Sequence, residues 1–290
     1  IRGNSQARAN TSKNTKTVKI IAFLFLLVLA LAWLFPLIWG VFTSFKSETE
    51  IKTMGFHMIP VKWVLDNYIK VIWNKNNFPV IRWFLNSTLM AGLSTIISVV
   101  LVSVTAYGYT RFQSKFLDRM FYVVMAVSLF PSIVNLIPLY KIVSSLGWVN
   151  TIFAAIVPGF ASVTNIFLVR QFLQGIPKEY DEAARTDGAD EIRTFALILV
   201  PMLKPVLTVV ALFNFTGVWN DFLWPTIVFN DINKMPITAG LQLMRGPYKT
   251  FDMGVILAAA IIAIVPTFII YLFSQKYFLS SLSLGAGIKG

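Results

Sequence analysis

Six apolar runs, each about 20 residues or more, dominate this chain: Ile20 to Phe42, then 84–109, 120–140, 152–172, 206–229 and 254–277. At a rise of ~1.5 Å per residue, each is long enough to cross a hydrocarbon core of ~30 Å. Lipid offers no hydrogen-bond partner to the backbone, so a spanning segment must satisfy its own amides, and a helix does so. The pattern predicts an all-α polytopic membrane protein of six transmembrane helices, with both termini on one side.

Composition agrees. Hydrophobic residues make up 56% and charged residues 13%, and the mean hydropathy is +0.69, more apolar surface than a soluble domain can hide. The chain has no cysteine, which excludes disulfides, thiolate metal sites and cysteine nucleophiles. Its one histidine, His57, has no second ligand candidate nearby, so neither a zinc site nor a catalytic imidazole is expected. The net charge of +12 does not point to nucleic acid, because the basic residues sit at the ends of the apolar runs. Arg2, Arg8, Lys13, Lys16 and Lys19 precede the first run, and Arg111, Lys115 and Arg119 crowd the connection after the second. The positive-inside rule therefore puts both termini in the cytoplasm.

Residues 1–19 read as a disordered basic cytoplasmic tail. Ala30-Leu31-Ala32 imitates a cleavage site, but the run is too long for a signal peptide and predicts a retained span. Within 43–83, Trp63, Leu65, Tyr68, Ile69, Ile72 and Trp73 recur at helical spacing, which predicts an amphipathic helix at the interface. The second run carries Asn86, Ser87, Thr88, Ser94, Thr95, Ser98, Ser103 and Thr105, suited either to close helix packing or to lining a wet pathway. The six spans form a membrane domain over 20–280, followed by a cytoplasmic tail, 281–290.

One segment departs from this pattern. Nine of the sixteen residues from Lys178 to Arg193 are charged, so the insert 176–205 must project into water between the fourth and fifth spans. Gly175 suits a helix end and Pro177 the start of a new helix. Lys178 to Asp187 predicts a short helix, Gly188 a left-handed stop, and Asp190 the cap of the next helix through Thr194. Ala183 and Ala184 would offer a partner a surface of little bulk, with Glu182 beside them for a basic group. Pro201 and Pro205 would stiffen or kink the start of the fifth span, so that movement of the insert is passed to it.

Glu182-Ala183-Ala184, three residues, Gly188, nine residues, Ile198, one residue, then Val200-Pro201 resembles the EAA signature of ATP-binding-cassette importer permeases, with Val200 where the family pattern has leucine. Asp66-Asn67-Tyr68, Asn86-Ser87, Ala106-Tyr107, Arg111-Phe112, Ile137-Pro138-Leu139-Tyr140, Trp219-Asn220-Asp221-Phe222 and the terminal Gly285-Ala286-Gly287-Ile288-Lys289-Gly290 are similar to the smaller permease subunit of maltose-type sugar importers. The resemblance implies a cytoplasmic coupling helix that docks on a separate ATPase, with Asp181, Glu182, Ala183, Ala184, Arg185 and Gly188 as its contact residues. It also implies a C-terminal tail, including Gly285, Gly287, Lys289 and Gly290, that reaches the ATPase. The implied partners are a second homologous permease, two ATPase subunits, an extracytoplasmic solute-binding protein and a sugar, in a bacterial inner membrane. No cofactor is expected on this chain; ATP and Mg²⁺ would be bound by the ATPase.

The residues themselves carry no enzyme. There is no phosphate-binding Gly-x-x-x-x-Gly-Lys-[Ser/Thr] loop, no nucleophile–base pairing and no metal cluster. An ion-coupled secondary carrier, the rival class, would place several ionisable groups inside its spans. Asp221, well inside the fifth run, either lines a polar cavity with Asn214 and Asn220 or forms a structural pair. Trp219, Asn220, Asp221 and Trp224 combine aromatic faces with amide and carboxylate groups, the mixture that sugars need; Asn135 and Asn165 add amides elsewhere. Both tryptophans equally suit an interfacial belt.

Overall fold

The computed structural model describes residues 3–73, 78–112, 114–245 and 252–286, and its regular elements are all helices. In chain order they are α1 (Gly3–Ser44), α2 (Glu48–Thr53), α3 (Asp66–Trp73), α4 (Val80–Arg111), α5 (Lys115–Ser128), α6 (Leu136–Ser145), α7 (Ile152–Ile156), α8 (Val163–Gln174), α9 (Glu179–Thr186), α10 (Glu191–Arg193), α11 (Val200–Asn220), α12 (Leu223–Val228), α13 (Ile237–Leu243) and α14 (Met253–Ala286). Four described stretches are long and apolar enough to cross a membrane: Val18–Ser44, Val80–Arg111, Glu191–Asn220 and Met253–Gln275. Two more form if each bent pair counts as one span, α5 with Ser132–Ser145 at 90° and Ile152–Gly159 with α8 at 44°.

The third span is therefore not the single helix expected over 120–140. Pro131 follows Ser128–Phe130 and drives its predecessor out of the helical region. In the fourth span Val157 stays in the helical region, α7 tightens into a 3₁₀ turn over Val157–Gly159, and the backbone is extended at Ser162, where α8 is capped. The fifth begins at Glu191, earlier than the apolar pattern suggests, and ends at Asn220 instead of 229. Pro201 is accommodated in the first turn of α11, where its missing N–H costs least. A π-helical stretch, Thr194–Leu199, precedes it, closed by an i→i+5 bond from Val200 N–H to Phe195 O.

The chain falls into two compact units, one of residues 1–70 with 251–261 and the other of 71–250 with 262–290. In the first, the apolar side chains of α1 from Val18 to Ile38 are exposed all round, as suits a helix whose neighbours are lipid or another chain. Its backbone is helical from Gly3, so the stretch expected as a disordered tail continues α1; no proline or glycine interrupts it before Pro36. Buried Asn67 donates to the carbonyls of Ser44 and Lys46, each at 2.8 Å. The expected amphipathic helix starts only at Asp66, after Trp63 and Leu65.

In the second unit α4 packs chiefly against α11 and α8. Its buried face runs Ser87, Ala91, Ser94, Ser98, Val102, Ala106, spaced three or four apart, so small residues let the helices approach closely. Packing is thus the main role of the hydroxyl-rich stripe. Val102, Phe121, Val169, Leu173, Leu199, Leu203 and Val210 form the apolar core at one end of this bundle.

Candidate coupling site and transmembrane cavity

The charged insert folds as an elbow. α8 ends at Gly175, Pro177 prevents its continuation, and α9 begins at Glu179 with Glu179, Asp181 and Glu182 in its first turn and Arg185 in its last. That charge order complements the helix dipole. Gly188 takes φ +83°. Ala189 N–H then bonds Ala184 O at 2.9 Å and Gly188 N–H bonds Arg185 O at 3.0 Å, the paired closure of a Schellman turn. The next helix is capped by Asp190, whose carboxylate accepts from Arg193 N–H at 2.7 Å, while the Thr194 hydroxyl bonds the Asp190 carbonyl. The cap expected here forms, through Arg193 instead of Thr194.

Helical periodicity divides the expected contact residues. Glu182, Ala183 and Gly188 are exposed. Asp181 and Ala184, one turn apart, are buried: Asp181 Oδ2 lies 2.9 Å from Arg111 Nη2 at the end of α4. These two face the body of the protein, not a partner, because a helix with one buried face must turn positions i and i+3 inward together. Arg185 is exposed and pairs with Glu191 at 2.5 Å. Tyr107, on α4, donates its hydroxyl to the other Glu191 oxygen. Sequence spacing gave no sign that Tyr107, Arg111 and Glu191 would meet the elbow, since nothing in one dimension says which face of α4 is turned to it. Gly285 lies in the last turn of α14; Gly287, Lys289 and Gly290 lie outside the described residues.

At the breaks in the spans lies a cavity of about 630 Å³, within the ~300–1,000 Å³ of small-molecule sites. Ser132, Asn135 and Leu136 reach it from the third span, Pro158 and Gly159 from the fourth, and Asn220, Asp221 and Trp224 from the fifth. Ser87 and Met90 of α4 complete one wall. Interrupted helix is tolerated at membrane depth only where it is buried or lines such a space. Asp221 caps α12, accepting from Leu223 and Trp224 N–H at 3.1 and 3.4 Å.

The other two pathway candidates are elsewhere. Asn214 is buried and accepts from the Ser94 and Thr95 hydroxyls at 3.2 and 3.3 Å, tying α11 to α4. Trp219 is 1% exposed, donates to Ala263 O at 3.0 Å and stacks on Phe215. Trp224 donates to Ala154 O at 2.8 Å. Both indoles are buried. Asn165 is buried in α8. Among the described residues no group of three or more His, Asp or Glu side chains is placed to hold a metal. His57 Nε2 pairs with Glu50 at 2.7 Å.

The family model described as "Binding-protein-dependent transport system inner membrane component" matches residues 98–283, the stretch that holds the elbow and most of the cavity wall. The chain belongs to this family. The permease is 30% identical to the arabinooligosaccharides transport system permease protein AraQ of Bacillus subtilis, over 94% of this chain and 96% of that one. It is 31% identical to the trehalose/maltose transport system permease protein MalG of Thermococcus litoralis, over 94% and 97%. Its fold is that of a chain in a bacterial ABC transporter involved in import of the acidic polysaccharide alginate, with a TM-score of 0.83 over 91% of this permease and 97% of that chain at 21% identity. As an importer permease it works with an ATPase and a binding protein.

Proposed function

We propose that this permease carries di- or oligosaccharides as one of two homologous membrane subunits, seated on two ATPase subunits and fed by an extracytoplasmic solute-binding protein. The observation that carries the substrate class is the near full-length similarity to permeases named for arabinooligosaccharides and for trehalose and maltose. The cavity supports it chemically: Asn135, Asn220 and Ser87 offer polar atoms beside the Trp224 ring, and Asp221 is the one charged residue among the described residues of its lining. Among these described residues an anionic polysaccharide would meet a carboxylate and no lysine or arginine, so a neutral sugar is the better fit.

ATP hydrolysis belongs to the partner ATPase, which binds ATP and Mg²⁺; this chain adds no ligand to them. Both termini and the elbow face the cytoplasm, where α9 presents Glu182, Ala183 and the Gly188 turn to the ATPase surface. Displacement of α9 rocks the attached spans, and the cavity opens alternately to the binding protein and to the cytoplasm. The C-terminal tail, Gly285 to Gly290, reaches the ATPase pair and senses their closure. The assay is uptake by proteoliposomes holding the complete importer. Accumulation of maltose or an arabino-oligosaccharide should require both internal ATP and the binding protein. Uptake driven by a proton or sodium gradient without nucleotide would refute the assignment.

A further inference from the structure

Two residues one turn apart on α4 hold both arms of the elbow. Arg111 pairs with Asp181 of α9, with side chains only 7% and 9% exposed, and its Nη2 also lies 3.3 Å from the Ile176 carbonyl just before α9. Tyr107 donates to Glu191 at the start of the fifth span, and its ring packs on Phe195 at 5.0 Å. Glu191 in turn holds Arg185. The elbow is thus bonded to the second span as well as to the fifth, into which the chain runs.

We propose that Arg111 and Tyr107 are positioning residues that clamp the coupling helix to α4, making the second span the rod that carries its displacement to the cavity. The proposal rests on the reading of α9 as the ATPase-docking element. Three features favour this route. A buried ion pair is hard to open, because either partner alone would be a charge without compensation, so α9 and the end of α4 move together. The direct path into the fifth span is softer: it passes the Gly188 turn and the π stretch Thr194–Leu199, whose hydrogen bonding is weaker than that of an α-helix. α4, by contrast, runs unbroken from Val80 to Arg111 with no internal proline.

The far end of that rod is where a displacement would matter. Ser87, about 36 Å along the helix from Arg111, lies on the cavity wall and accepts the Ile237 N–H at 2.8 Å. Asn86 donates to the carbonyls of Asn233 and Met235, both at 2.9 Å, and Trp83 donates to Ile232 O. A shift of α4 therefore moves the 232–237 segment and one wall of the cavity together.

The test uses the complete importer in two arms. This chain has no cysteine, so spin labels can be placed at Val104 and Thr186, both exposed. Between the nucleotide-free and vanadate-trapped states their separation should hold to about 2 Å, the scale of minor helix shifts. A change of about 5 Å, one helical turn, would overturn the clamp. In the second arm, Asp181→Asn and Arg111→Gln should each raise the ATP hydrolysed per sugar transported about 10-fold, and the reversed pair Arg111→Asp with Asp181→Arg should recover much of that loss. An unchanged ratio in single variants that still co-purify with the ATPase would overturn the clamp alone. Failure of the unmodified chain to co-purify with an ATPase would take down the docking reading and the clamp with it.

Discussion

Gly188 gives the sharpest test of how the elbow is built. Its φ of +83° lies in the left-handed region, and a Cβ added there would meet nothing within 4 Å. Space is therefore irrelevant within this chain, and the penalty for a side chain is that of the backbone conformation, about 1–2 kcal/mol for an ordinary L-residue. If residue 188 instead leaves that region, the bonds from its own N–H and from Ala189 N–H to the end of α9 are lost, at about 1 kcal/mol each. Both routes give Gly188→Ala a cost of about 1–2 kcal/mol. Asparagine tolerates the left-handed conformation better than alanine does, and valine tolerates it worst. Uptake by the reconstituted importer, with thermal unfolding of the purified complex beside it, should fall in the order Gly, Asn, Ala, Val. An order that follows side-chain volume, with Asn below Ala, would refute the backbone argument and show that the site is limited by close approach of another surface.

Other outcomes follow from the packing. Asn214→Leu leaves the Ser94 and Thr95 hydroxyls without their acceptor inside the α4–α11 contact, so the complex should lose about 1–3 kcal/mol, read as a lower melting temperature with unaltered sugar preference. Gly254→Ala would bring a Cβ within 2.4 Å of Asn67 Nδ2; displacing Asn67 breaks its bonds to Ser44 and Lys46, and stability should drop by about 2 kcal/mol, checked by chemical denaturation. Burial raises the Glu50 carboxyl pKa, but hydrogen bonds from His57 and from the backbone at Val61 and Lys62 outweigh this and hold it below the ordinary 4.5. A depressed carboxyl stabilises the fold fully above that ordinary value and loses its contribution as pH falls through the folded value. Melting temperature should therefore decline on the acid side of about pH 4.5, and Glu50→Gln should flatten that decline.

How far the sequence could be read depended on which physical constraint was at work. The helical class and the four unbroken spans were legible because lipid imposes a length and a hydrogen-bonding rule on every apolar run. The elbow was legible because charge cannot enter hydrocarbon and because glycine at 188 announces a turn. Which side of α9 faces outward was not. Asp181 and Glu182 are adjacent acids of nearly the same chemistry, and they differ only in that Arg111, seventy residues earlier in the chain, lies under the first. Asn214 and Trp219 looked like pathway residues for a related reason: a buried amide that joins two helices and one that meets a sugar have the same local sequence. The tertiary partners, Ser94 and Thr95 in one case and Ala263 in the other, decide between them.

The breaks in the spans teach the converse lesson. Phe130-Pro131 and Val157-Pro158-Gly159 sit inside runs whose hydropathy is that of unbroken helices, and proline alone often only bends a transmembrane helix. What makes these positions true interruptions is that they converge. The third, fourth and fifth spans each stop at the same cavity, around Ser132, Pro158 and Asp221, where freed backbone groups have a polar space to face instead of lipid. Asp221 belongs there for the same reason: its carboxylate takes the first amides of α12, a task that arises only because α11 has ended. The carboxylate that hinted at ion coupling is thus accounted for by the turn that ends the fifth span. The cavity in turn exists because the third and fourth spans are interrupted and the fifth ends around one space that α4 closes from the side.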